Sequence, residues 1–191
     1  MNKCVYVSFY TKNTPYENDV KTLEESLKKF ELKYELFGIE NQKSWERNCQ
    51  QKSIIIKQAL EKYPDNCIVY TDADSIICKE PELFEKINGD IGYCILPWRD
   101  NEVLSGTLFF RNIPKIHTFI DRWIYLNSTN LKWDQINLKE IIEHQSTDLS
   151  LIKYILPHAY CHIYDNKLQD VNIPVVEHYQ ASRRYKRLVS K

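Results

Sequence analysis

Apolar residues along this chain alternate between two periods. Lys3 to Phe9 is β-branched and aromatic, which predicts a buried strand. Val20, Leu23, Leu27 and Phe30 then recur at three- and four-residue spacing in a charged background, the pattern of one helix face. A short strand is expected over Tyr34 to Ile39. A second helix is expected from Trp45 to Tyr63, with Ile55, Ala59 and Leu60 facing inward and Pro64-Asp65-Asn66 ending it. Cys67 to Thr71 is a short, mostly apolar run and reads as a strand covered on both faces.

Further along, the pattern predicts a short helix over Pro81 to Ile87, strands at Ile91 to Leu96 and Leu104 to Arg111, and a helix from Pro114 to Leu126, proline suiting a first helical turn. Helices near Gln135 to Glu143 and Thr147 to Ile155 are expected before strands around Ala159 to Tyr164 and Ile173 to Tyr179. Helices alternating with buried strands imply an α/β fold, with a mostly parallel sheet covered on both faces. In such folds ligands collect at the carboxyl ends of strands. Thr71-Asp72-Ala73-Asp74 lies at one of those ends.

Length changes this picture little: 191 residues suit one domain, 1–191, with a core large enough to need no staples. Charge excludes more. The 26 Lys and Arg offset the 26 Asp and Glu, so no global positive field draws nucleic acid. Basic residues gather only in 182–191, as Arg183-Arg184-Tyr185-Lys186-Arg187 and Lys191, which reads as a flexible tail. The six cysteines contain no C-x-x-C pair and no zinc spacing, which suits reduced, packed thiols. No apolar signal region and no long apolar run is present, so a cytoplasmic location is expected and no transmembrane segment.

Asp72 and Asp74 carry the sharpest chemistry. Two carboxylates directly after Ile68-Val69-Tyr70 are expensive to bury without a cation. Alternate residues of an extended segment point the same way, so both can face one hard divalent ion that also meets a diphosphate. A solvated aspartate turn at a strand end is the plainer reading. A calcium loop of the EF-hand kind fails, because Ile76 and Ile77 stand where it needs an oxygen ligand and a glycine. A haloacid-dehalogenase-like phosphatase, with Asp72 as nucleophile and Asp74 as general acid, remains open. Against it, position five is Ile76 and no later Gly-Asp completes the signature.

Several stretches together resemble one family. Gln51-Lys52-Ser53, the run Ala59 to Asp65, and Val69-Tyr70-Thr71-Asp72-Ala73-Asp74-Ser75-Ile76-Ile77 look like nucleotide-diphospho-sugar transferases of the GT-A type, whose hallmark is this D-x-D. The resemblance continues through Leu83-Phe84, Asp90-Ile91, Ser105-Gly106-Thr107-Leu108-Phe109-Phe110-Arg111-Asn112 and Glu177-His178-Tyr179-Gln180-Ala181-Ser182-Arg183-Arg184, and so spans most of the chain. Small transferase domains that build capsid glycans in large algal viruses, and glycosyltransferase families 8 and 34, share this layout. The resemblance implies a GT-A fold and sugar transfer from a nucleoside diphosphate sugar, with UDP favoured, to a glycan or other hydroxyl acceptor. It favours retention of configuration, and for a viral chain the cytoplasm would be the host's.

The same resemblance assigns residues. Asp74 would ligate Mn2+ or Mg2+ directly, Asp72 would divide its oxygens between metal and donor ribose, Ala73 would lie against the donor, and His178 would be the third ligand. The family segment H-F-x-G-x-x-K reads here with Ala181 for the glycine and Arg184 for the lysine. Arg183 and Arg184 would meet the diphosphate. Lys52, Ser8, Tyr10 and Thr11 would lie by the donor, with Tyr10 stacked on the base. Asp148, ahead of Asp134 because its spacing to the next strand fits better, would face the sugar, although either can be a helix-terminal acid. Ser105 and Gly106 would border the sugar, and Trp98 would stack on the acceptor. His117, His144, His158 and His162 read as ordinary histidines. A catalytically silent sugar-nucleotide or glycan-binding module is the rival outside enzymes, and a further domain C-terminal of the basic tail is compatible with the sequence.

Overall fold

A computed structural model describes residues 4–145 and 147–189. Lys3, Ser146 and Lys191, on which the start of the first strand, a Ser-Thr-Asp-Leu stretch and the end of the basic tail fall, lie outside them, as does the side chain of Arg187. The chain runs through β1 (Cys4–Thr11), α1 (Tyr16–Lys29), β2 (Tyr34–Ile39), α2 (Trp45–Lys62), β3 (Cys67–Thr71), β4 (Ser75–Ile77), α3 (Leu83–Lys86), β5 (Ile91–Leu96) and β6 (Glu102–Phe110). It continues through α4 (Pro114–Thr129), α5 (Asp134–Glu140), β7 (Lys153–Ile155), β8 (His162–Ile163), β9 (Val176–His178) and α6 (Ser182–Val189).

Six strands form the main sheet in the order β2-β1-β3-β6-β5-β7. β1 is parallel to β2 and β3, and β5 to β7, while β6 runs against both its neighbours. The sheet is therefore largely parallel, as expected. The pleat divides β1 cleanly: Val5 and Val7 enter the core beneath α2 and α4, whereas Cys4 and Tyr6 enter the one beneath α1 and α3. The first core centres on Ile56, Leu60, Phe119, Ile120 and Trp123, and the second on Leu23, Leu27, Phe84 and Phe109. Ser44 caps α2, its Oγ accepting the Arg47 N–H, and Pro114 opens α4.

Two expectations are corrected. The periodicity over Thr147 to Ile155 predicts a helix, yet only one tight turn forms at Thr147–Leu149, and β7 follows. Tertiary pairing overrides the local pattern: Ser150 takes a positive φ of 48°, and the Asp90 carboxylate accepts the Ile152 N–H at 2.9 Å. The strands predicted at Ala159 to Tyr164 and Ile173 to Tyr179 shrink to β8 and β9. With β4, which the pattern does not predict, they make a separate three-stranded sheet, β4-β9-β8. The basic stretch forms a helix, α6, over Ser182–Val189, with Arg183 paired to Asp165, Arg184 to Asp19 and Lys186 to Glu46.

All six cysteines are free thiols. Among the described residues no helix is long and apolar enough to cross a membrane.

Candidate functional site

The site begins where β3 stops. Asp72 donates its N–H to the Gly106 carbonyl at 2.9 Å, which ties the chain after β3 to β6, and the Ser75 N–H closes a turn on the Asp72 carbonyl. β4 leaves that turn and pairs antiparallel with β9, with Ser75 opposite His178. This pairing carries an imidazole from the end of the chain to the aspartates. Single ligand atoms of Asp72, Asp74 and His178 then lie within 4.8 Å of one another.

The surroundings suit a cation. The Asp74 carboxylate accepts the Ala181 N–H, and burial pushes its carboxyl above the ordinary range, a charge state that a bound cation would reverse. The Thr107 hydroxyl lies 2.8 Å from His178 Nε2, so a proton held there leaves Nδ1 as the ligand atom. Burial disfavours the imidazolium of His178, but the neighbouring Cys161 and Asp72 outweigh it and raise its titration above the usual imidazole range. Gly106 is the space-maker: a Cβ there would stand 3.0 Å from His178 Cε1, 3.2 Å from its Nδ1 and 3.4 Å from Asp72 Oδ2. Two carboxylates and one imidazole fit Mn2+ better than Mg2+, which prefers oxygen.

Lys52, on the inner face of α2, is the second organiser. Its ammonium lies 3.1 Å from Asp72 and 2.9 Å from Asp134, and it donates to the Ser105 carbonyl at 3.0 Å and hydroxyl at 2.9 Å. Burial disfavours this charge, yet Asp134 and Asp72 overcome it and hold the ammonium protonated, above the ordinary lysine range. Asp72 also accepts from the Tyr70 hydroxyl at 2.8 Å.

A cavity of about 420 Å3 opens beside these groups. Its walls come from the carboxyl ends of β1 and β3 and the opposed beginning of β6. Of the residues singled out in the sequence, Tyr10, Thr11, Lys52, Asp72, Ala73, Asp74, Ser105, Asp134 and Arg183 line it. His178 is buried behind the aspartates, and Gly106 is packed against it.

Four assignments go elsewhere. Asp148, ranked ahead of Asp134 by its spacing, is on the outer surface, both carboxylate oxygens held at 2.7 Å by Arg122, so the ranking reverses. Trp98 packs edge-on against His158, with ring centroids 5.2 Å apart, instead of facing the cavity. Ser8 is fully buried beneath the sheet end. Arg184 pairs with Asp19 at 3.4 Å beside a neighbouring pocket.

Several cavity residues were not anticipated. Trp133 and Trp45 form an edge-to-face corner at the rim, 5.1 Å between centroids. Gln135 accepts the Ser105 N–H and donates to Glu102 at 2.7 Å, bracing the cavity floor. Trp133 and Gln135 flank Asp134 in the chain, so the signal that could find them is their neighbour. Thr107 stands within the stretch that carries the resemblance, which implies no role for it, and nothing in the sequence marks Glu102.

No protein-family model matches the sequence, and no curated protein sequence matches it. Solved structures do match in shape. A glycosyltransferase involved in the glycosylation of the major capsid of PBCV-1 superimposes with a TM-score of 0.75 at 14% identity, over 98% of each chain. The glycosyltransferase GlyE of Streptococcus pneumoniae TIGR4 gives 0.68 at 15% identity, covering 94% of this chain and 55% of GlyE. The galactosyltransferase LgtC, solved with donor and acceptor sugar analogs, gives 0.54 at 12% identity, over 97% and 95% of the two chains. The fold is thus the GT-A fold of glycosyltransferases, as the sequence resemblance implied.

Proposed function

We propose that this chain is a metal-dependent glycosyltransferase that moves a sugar from a nucleoside diphosphate sugar, UDP-linked by preference, to a hydroxyl of a glycan, with retention of configuration. One observation carries the reading: the Asp72, Asp74 and His178 ligand atoms lie within 4.8 Å of one another, with Asp72 and Asp74 in the wall of a cavity at the carboxyl ends of β1 and β3 and His178 buried behind them. The shared fold with glycosyltransferases supports it.

Breaking the anomeric bond leaves charge on a diphosphate, and stabilising that charge is the main catalytic need. A divalent cation held by Asp72, Asp74 and His178 would supply much of it. Arg183, at the rim, adds a guanidinium for the phosphate oxygens. Phe9, Tyr10 and Thr11 form the wall where a base would lie, and Trp45 and Trp133 the apolar rim an acceptor sugar would cross. Lys52 fixes Asp134 beside Ser105. The carboxylates lining the cavity are each engaged, Asp134 and Asp72 by Lys52, Glu102 by Gln135 and Asp74 by Ala181. None is left as a general base for inversion, which favours retention.

Calorimetric titration of UDP with Mn2+, with Mg2+ and with EDTA tests the reading, alongside assays of slow UDP-sugar hydrolysis and of p-nitrophenyl phosphate turnover. Tight binding only with Mn2+, lost in Asp74→Ala, and sugar release without phosphomonoester hydrolysis are expected. Metal-independent binding, or phosphatase activity alone, would overturn it.

A further inference from the structure

A second cavity, about 410 Å3, shares Asp74, Gln180 and Arg183 with the first and is otherwise built from different residues. α1 contributes Asp19 and Thr22, the segment after β8 contributes Tyr164 and Asp165, and the end of β9 contributes Tyr179. Its size falls within the range of small-ligand sites. Of its lining, the proposed transfer uses only the shared Asp74 and Arg183.

Its chemistry is specific. Tyr164 and Tyr179 stack face to face, with centroids 5.3 Å apart and planes 20° apart, and both remain exposed, Tyr164 by 55%. The Tyr179 hydroxyl is anchored to Glu177 at 2.7 Å, which fixes the platform. Around it stand planar polar groups: Arg183 paired with Asp165, Arg184 paired with Asp19, and the Gln180 amide. The two ion pairs cancel, and Asp74 is the charge that a site cation would neutralise, so the lining is close to neutral overall. It therefore attracts neither a free anion nor a free cation. Asp19 Oδ2 is buried without a hydrogen-bond partner, an acceptor still waiting for a donor. An aromatic platform edged by paired carboxylates and guanidiniums, with one open acceptor, matches a neutral polyhydroxylated ring: an apolar C–H face above, hydroxyl donors and acceptors around.

We infer that this cavity is a second carbohydrate-binding site, which holds a neutral pyranose of a glycan chain against the open outer face of the Tyr164–Tyr179 stack, with a hydroxyl donated to Asp19. The choice of a carbohydrate over other polar ligands rests on the transferase reading above. The site would anchor a stretch of acceptor polymer away from the reacting hydroxyl.

Saturation-transfer NMR on the full chain with UDP and Mn2+ present, using maltohexaose, cellohexaose and linear mannohexaose as probes, tests this. Tyr164→Ala removes an exposed ring, and Thr22→Trp fills the cavity from an exposed helix position; both should keep the wild-type melting temperature and manganese-dependent UDP affinity. At least one probe should bind the wild type, and both variants should weaken it by roughly tenfold or more. Absence of binding by all three probes, undiminished binding by both variants, or displacement of the bound probe by inorganic pyrophosphate would overturn the inference. UDP affinity is read in the same samples: intact UDP binding with no glycan binding sinks this site alone, whereas loss of metal-dependent UDP binding in the wild type sinks the transferase reading.

Discussion

Lys52 is the position where one substitution separates the structural from the chemical role of the site. Its ammonium is 5% exposed and stands 3.1 Å from Asp72 and 2.9 Å from Asp134, itself only 6% exposed. Lys52→Met keeps the stem's apolar volume and removes the charge, leaving Asp134 buried beside no cation. Removing one partner of a buried ion pair costs about 3–5 kcal/mol, most of it the penalty on the charge left behind. For a chain of this size, each kcal/mol moves the melting temperature by about 2–4 °C, so a fall of roughly 6–20 °C is expected. Lys52→Met/Asp134→Asn should recover a large part of this, because the stranded charge is gone, and the double-mutant cycle should give a coupling of about 1–3 kcal/mol. The affinity for Mn2+ alone should move the other way and rise in Lys52→Met, since a positive charge has left the Asp72 carboxylate. Urea unfolding and metal titration by calorimetry measure both. A loss under about 1 kcal/mol, strict additivity of the two substitutions, or unchanged Mn2+ affinity would refute the picture of a buried bridge.

Gly106→Ala should leave a folded protein whose manganese-dependent UDP affinity drops by roughly tenfold or more, because the new methyl would stand 3.0 Å from the His178 ring and displace it; calorimetry reads the loss, and an unchanged affinity would show that His178 is not part of the site. Asp148→Asn should leave UDP binding and sugar release as they are. The Arg122 guanidinium holds the Asp148 carboxyl below its ordinary range, so its contribution to stability is present above the unfolded-state titration and is lost as pH falls through the lower folded value. Melting curves of the variant and wild type should therefore differ slightly at neutral pH and converge in acid.

Reading this chain from its letters works where one residue's neighbours in sequence are also its neighbours in space. α2 and β3 are legible because Ile55, Ala59 and Leu60 repeat at helical spacing and Cys67 to Thr71 is buried on both faces. The aspartate pair stands out for the same reason, two charges at the end of an apolar run. β4 and β7 are three residues each, too short for a period to show, and only their partners β9 and β5 make them strands. Asp148 has the sequence pattern of a helix start but is followed by a single turn and β7, and the Arg122 that claims it is 26 positions away. Thr107 acts through an imidazole 71 positions along the chain. Such partnerships have no local signature.

The pairing of β4 with β9 also sets the order in which this molecule can become competent. β1, α1, β2, α2 and β3 come early in the chain, whereas the Asp72 N–H has its partner, the Gly106 carbonyl, only once β6 is in place. The Ala181 N–H that fixes Asp74 arrives 107 residues later, together with His178. Closing so long a loop is slow relative to local steps. Without that closure Asp72 and Asp74 lack both the third candidate ligand and the Ala181 N–H. A cation bound to the three-residue cluster would therefore stabilise by mass action only a chain in which β4 and β9 have paired.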